Sequence, residues 1–361
     1  MPTLPFARLP SAPLPGSSYY ISNALIIAKR VALGLEDPVR IEFDGEWKKG
    51  DALFDWYQRH SRTTIESMQL RKEQKAPFFH EYVTFRLSDG TCFRIDRRQL
   101  PDERSPMGCT QHEGVEAYDT IEQIADLEDS MYNASLCLVQ LDFTVNVELN
   151  LIIGICRAIY ERPDTRNYTV QRYNCYFYSQ TIVMCTLCTV YEWDEYYIWG
   201  PRNLQQEIGD ALKVRMPLEA LDKDPDISIK ISNKQTQPQP RRVIISDPTQ
   251  SNRPQTEHTP VRKTLFGVFR STHKGGRPRP MQELDIGDFQ RYLSGKIRAH
   301  GIRVEQYKFL LRSNAGDVER GIKLAMDCMW LYGRFVKKRL KGSGEMEQPI
   351  LKEIKESLTL L

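Results

Sequence analysis

Phe78-Phe79-His80-Glu81-Tyr82-Val83-Thr84-Phe85, Ser88-Asp89-Gly90 and Thr91-Cys92-Phe93-Arg94-Ile95-Asp96-Arg97 follow one another after Pro77. Two runs rich in β-branched and aromatic residues around an Asp-Gly turn read as an antiparallel hairpin. Ser135 to Val145 is a further β-rich run. Between it and Pro163, Glu148 to Tyr160 places Leu149, Ile152, Ile153, Cys156 and Ile159 at helical spacing. Tyr168-Thr169-Val170 then leads into Asn174-Cys175 and an apolar run to Tyr191. Apolar residues all round that run predict a central, buried helix. A small antiparallel sheet packed on a buried helix is an α+β fold.

Outward from this core, 76–220, the chain divides further. Residues 1–75 combine a Pro-rich leader with a helical cap, in which Tyr19 to Leu35 and Asp51 to Lys72 have helical spacing and Trp56, Ile65 and Met68 lie inside the second helix. Asp119 to Met131 reads as a short acidic helix capped by Asp119 or Thr120. Residues 221–282 are Pro-rich and basic, a composition that predicts a largely disordered linker. Two apolar patches in it, Val243-Ile244-Ile245 and Thr264-Leu265-Phe266-Gly267-Val268-Phe269, carry no assignment. Residues 283–345 read as a basic helical module, with helices over Asp288 to Ala299, Val304 to Leu311 and Asp317 to Leu340 and breaks at Gly301 and Ser313 to Gly316. The tail, 346–361, has the pattern of a frayed helix.

With 40% hydrophobic residues and no apolar stretch near the roughly 20 residues a bilayer needs, the composition predicts no membrane span. The first ten residues carry Pro every few positions and lack a secretory h-region, and the eight cysteines sit in apolar contexts that suit reduced thiols. Both point to cytoplasm or nucleus. The net charge of +3 hides an asymmetry, since Val261 to Glu345 holds an excess of eleven Lys/Arg over Asp/Glu. Such a region suits an acidic protein partner, and leaves nucleic acid open as well.

The chemistry-bearing residues are Cys175 and His80. A cysteine opening a helix lies where unpaired N–H groups and the helix dipole favour thiolate, and Asn174 is a good capping residue. His80 at a strand start is a candidate general base. Asp96 on the returning strand is a candidate to orient it, because a carboxylate stabilises imidazolium. A buried structural cysteine and a half-exposed strand histidine explain the same residues without catalysis.

Tyr173-Asn174-Cys175-Tyr176-Phe177-Tyr178, about ninety-five residues after a strand-start His80, resembles the Asn-Cys-x-x-Phe segment of permuted papain-like proteins. Those are the lecithin:retinol acyltransferase-like and PPPDE groups of the NlpC-type superfamily; the chain as a whole also resembles fungal proteins. The resemblance spans Phe78 to Tyr191. It implies that His80 on the first strand of a small sheet meets Cys175 at the start of the following helix, and that the pair performs amide, ester or thioester chemistry. The chain departs from the pattern where acyltransferases carry a second His, having Cys92, Arg94 and Asp96 there, and in Tyr176-Phe177 after the cysteine.

Cys185-Thr186-Leu187-Cys188 has metal-ligand spacing and Cys109-Thr110-Gln111-His112 offers two more ligands, but the first lies inside an apolar helix, so no metal and no cofactor is expected. Phe309 to Ile322 resembles part of a ubiquitin-associated domain, while an apolar stripe at Val318, Ile322, Ala325 and Met329 explains it as plain helix packing. The sequence thus predicts a cysteine hydrolase or acyltransferase of peptide, isopeptide or acyl substrates, with Cys175 as nucleophile, His80 as base and Asp96 as orienting group. The alternative is a catalytically inactive scaffold that binds a protein or nucleic acid through its basic C-terminal region.

Overall fold

In this computed structural model the described residues are 24–74, 79–100, 103–129, 133–190, 198–199, 212–217, 281–284 and 286–340. In chain order they form α1 Ala24–Leu33, β1 Val39–Arg40, α2 Ala52–His60, β2 Thr64–Glu73, β3 Glu81–Leu87, β4 Cys92–Gln99, β5 Val115–Ile124 and β6 Ser135–Glu148. These are followed by α3 Leu149–Glu161, α4 Pro163–Arg166, β7 Asn167–Tyr168, α5 Cys175–Val190, β8 Leu212–Pro217, β9 Met281–Leu284, α6 Ile286–Glu305, α7 Lys308–Leu311 and α8 Ala315–Leu340.

The hairpin forms as its sequence dictates. β3 and β4 pair antiparallel with Val83 opposite Ile95 and Phe85 opposite Phe93. Gly90 closes the turn at φ +87°, a conformation that side chains resist. From this hairpin the sheet grows both ways, in the order β1-β5-β4-β3-β2-β6-β8-β9, with β7 pairing β5 off that path. Helices and an antiparallel sheet make this an α+β fold.

Two predicted helices are strands in part. Asp51 does cap a helix, accepting the Phe54 N–H at 2.8 Å, but α2 stops at His60 and the chain re-enters as β2. β2 is flanked by β3 and β6, and Ser67 through Glu73 is buried without a break, so Ile65 and Met68 lie on a strand with no polar face to betray its period of two. Asp119 to Ile124 belongs to β5. Its acids are absorbed across the ladder, Asp119 opposite Arg97 and Glu122 opposite Arg94. The predicted break at Gly301 is also absent: α6 runs through it, and a Cβ there would meet the Ala315 carbonyl at 2.7 Å. The glycine lets two helices approach.

α5 packs against β2, β3 and β4 and against α3 and α8, which explains why Cys175 through Thr189 are all buried. Strand alternation decides which sheet residues meet it. Glu81 and Arg97 face α5, since Gln180 hydrogen-bonds Glu81 and Arg97 lies 4.6 Å from the Tyr178 ring centroid. Tyr82, Arg94, Asp96 and Glu122 point the other way.

The chain divides into two units, residues 1–228 with 280–361 and residues 229–279; the second lies outside the described residues, as do the leader, most of the linker and the tail. The C-terminal helices belong to the first unit with the sheet. α8 lies against α3, α5 and α6 and buries Val318, Ile322, Ala325 and Met329, the stripe its sequence spells out. Among the described residues no helix is long and apolar enough to cross a membrane.

Candidate functional site

The start of α5 is capped as its sequence predicts. Asn174 Oδ1 accepts the N–H groups of Tyr176 at 3.0 Å and Phe177 at 3.2 Å, and its amide donates to the Val170 carbonyl at 2.9 Å. Cys175 follows directly but is only 2% exposed. Burial pushes its thiol up to about 12, although the Glu81 backbone N–H favours the anion. A helix N-terminus offers an anion at most about 2 kcal/mol. Removal from water outweighs that, so the residue expected as a thiolate is a neutral thiol.

His80 and Asp96 do meet, with Nε2 and Oδ2 at 3.3 Å. Asp96 is also gripped by Arg94 at 2.6 Å, by Arg98 at 3.1 Å and by the Thr120 hydroxyl at 3.1 Å. Arg94 reaches on to Glu73 at 3.1 Å and lies near Glu122 at 3.6 Å, while Asn133 donates to Glu73 and Arg30 pairs with Glu122. Three guanidinium groups thus face three carboxylates. Desolvation works against ionising Asp96, but Arg98 and Arg94 prevail and hold its carboxyl well below the usual range. For His80, burial and then Arg98 outweigh Asp96, so its pKa is lowered and the ring is neutral at pH 7.

No hydrogen bond joins His80 to Cys175 among the described residues. The Glu73 N–H donates to the His80 carbonyl at 2.7 Å, which extends the β2–β3 ladder by one residue and turns the imidazole to the face of Asp96, away from α5. Cys175 meets the sheet through the backbone of Glu81. Among the described residues neither His80 nor Asp96 hydrogen-bonds the thiol.

A lowered histidine pKa is a statement about stability. The folded protein resists protonating His80, so stability is full above the unfolded pKa of about 6.5 and falls as pH drops below it. His80→Gln is therefore expected to flatten the decline of melting temperature between about pH 7 and pH 5. Parallel curves for variant and wild type over that range would contradict the assignment.

Sequence reasoning overlooked two further residues, both from α6. Lys296 forms a buried ion pair with Glu81, whose other oxygen accepts Gln180 at 3.1 Å. His300 Nε2 lies 2.9 Å from the Gln171 carbonyl, which can only accept, so that nitrogen carries the proton; Asn174 Nδ2 is 3.2 Å away. The signal was present. Phe289, Tyr292, Leu293, Ile297 and Val304 form an apolar stripe on α6, and Lys296 and His300 sit within it at helical spacing.

Burial also raises the thiols of Cys109, to about 12, and Cys185, which contacts the Met326 carbonyl at 3.8 Å. Among the described residues no group of three or more His, Cys, Asp or Glu side chains could hold a metal ion. No protein family, curated protein or solved structure compared with this chain matches it.

Proposed function

We propose that this chain is a non-catalytic binding scaffold whose partner is a protein held by the basic C-terminal helices. The observation that carries this reading is the state of Cys175: buried, neutral, and without a hydrogen bond to His80 or Asp96 among the described residues. Acyl transfer at a thiol needs a base within hydrogen-bond reach and a depressed thiol pKa, and this arrangement favours neither. The N–H groups at the start of α5 are occupied by Asn174, and the Glu81–Lys296 pair ties the C-terminal helices to the sheet behind it. All of this suits a rigid platform.

One feature favours a second reading, a Cys175-dependent hydrolase or acyltransferase of peptide, isopeptide or acyl substrates: the Glu81 N–H beside the thiol lies one peptide from a histidine that Asp96 already orients. That chemistry requires the imidazole to come within hydrogen-bond reach of the thiol.

Iodoacetamide labelling of the native protein between about pH 6 and pH 8, with mass-spectrometric site assignment, separates the two readings. The scaffold reading expects Cys175 to stay unmodified until denaturant is added, with no change in His80→Ala. Rapid labelling of native Cys175 below pH 7 that slows in the variant would establish an activated thiol and reject the scaffold.

A further inference from the structure

Among the described residues two that are not glycine have a positive φ, Phe79 at +42° and Arg312 at +51°. Arg312 is the C-cap of α7, where its N–H closes on the Lys308 carbonyl and a left-handed residue is usual. Phe79 ends no helix. It enters β3 directly before His80, and a bulky side chain keeps such a φ only where its surroundings over-determine it.

The grip comes from the start of α5. The Tyr176 hydroxyl donates to the Phe79 carbonyl at 3.1 Å, and Lys72 Nζ lies 5.9 Å from the centroids of both rings. Next to Tyr176, the Cys175 thiol accepts the Glu81 N–H. Consecutive residues of α5 therefore hold the chain on either side of His80, one of them at a strained peptide. The neighbours of Phe79 are anchored several times over, Glu81 by Gln180 and Lys296, His80 by the Glu73 N–H and Asp96. For Phe79 the Tyr176 hydroxyl is the one hydrogen-bond partner among the described residues.

We propose that Phe79 and Tyr176 form a strained latch over Cys175. With the hydroxyl bond made, the entry to β3 is shut on the start of α5; with it broken, Phe79 relaxes to an ordinary φ, the entry lifts and the thiol meets solvent. Strain offsets part of what holds the latch shut, so this point opens at a lower free energy than the packed helix behind it. The device goes beyond the scaffold reading and fails separately from it. That reading concerns wild-type labelling without denaturant, whereas the latch concerns ratios among variants.

Iodoacetamide labelling of the full chain at about pH 8, in urea below the unfolding transition, with mass-spectrometric assignment of Cys175 and Cys185, tests it. Cys185 lies further along the same helix, is fully buried and reports wider opening. In Tyr176→Phe, Cys175 is expected to label about two- to tenfold faster than in wild type while Cys185 is unchanged. At position 79 the sign is diagnostic. Phe79→Ala and Phe79→Gly both lose the ring, but only alanine keeps the strain, so Cys175 labels about five- to thirtyfold faster in Phe79→Ala than in Phe79→Gly. On an unstrained strand glycine is the looser residue and the order is reversed. The latch is overturned by Cys175 labelling in Tyr176→Phe at the wild-type rate, by Cys175 and Cys185 speeding in parallel, or by Phe79→Gly labelling as fast as Phe79→Ala.

Discussion

Arg94→Met is expected to lower stability by about 3–5 kcal/mol, the usual consequence of breaking a buried ion network from one side. For a chain of this size that is a drop of roughly 6–20 °C in melting temperature. Arg94 is 1% exposed and bonds Asp96 while reaching Glu73 and Glu122; without it, Arg30 and Arg98 are left to neutralise three carboxylates inside the protein. It also stacks 3.7 Å from the centroid of the Tyr82 ring, a contact that methionine replaces only in part.

The loss has a pH signature. Asp96 has a folded-state pKa well below its unfolded value, so its contribution is full above about pH 4 and disappears as pH falls further. Removing Arg94 raises that pKa. The difference between variant and wild type is therefore largest near pH 7 and shrinks towards pH 3, as thermal melts followed by circular dichroism would show. A variant within about 1 kcal/mol of wild type at pH 7 would refute the network's structural role.

Lys296→Met should be comparably severe, about 3–5 kcal/mol, because it strands Glu81, which is fully buried. Glu81→Gln alone strands the lysine instead. The double variant leaves a neutral amide beside a thioether, with the amide still able to meet Gln180, and it should recover most of the loss. Chemical denaturation of the four proteins measures the coupling directly. Costs that add would mean that the two charges do not hold α6 to the sheet. Hydrogen exchange gives a second readout, since α6 and α8 are expected to lose protection before β3 and β4 in the single variants.

The hairpin, β6, α3 and α5 were legible because each pattern is local: alternation around an Asp-Gly turn, helical spacing, an apolar run opening on Asn-Cys. The Asn174 cap was legible for the same reason. β2 and β5 were not, because neither has a local turn signal or a clear alternation, and the acids of β5, which pair with Arg97 and Arg94 across the ladder, read as an acidic helix. Met68, Gln69, Leu70 and Arg71 are buried on both faces, so polar and apolar residues alternate without marking inside from outside. The Asp96–His80 contact could be guessed across the hairpin. The side on which it falls could not.

By itself the sequence determined the α+β class, the strand hairpin, the capped and buried central helix and the amphipathic packing of α8. These follow from spacing and backbone preference over a few residues. Tertiary structure alone decided the chemistry of Cys175. Its thiol is neutral because of what covers it. The Lys296 and His300 that close over the start of α5 come from a helix more than a hundred residues downstream, His300 lying 126 residues from Asn174. Likewise, the face to which His80 turns depends on a ladder with β2, a strand the sequence does not reveal. Desolvation and sidedness are properties of the assembled layers, and no local pattern encodes them.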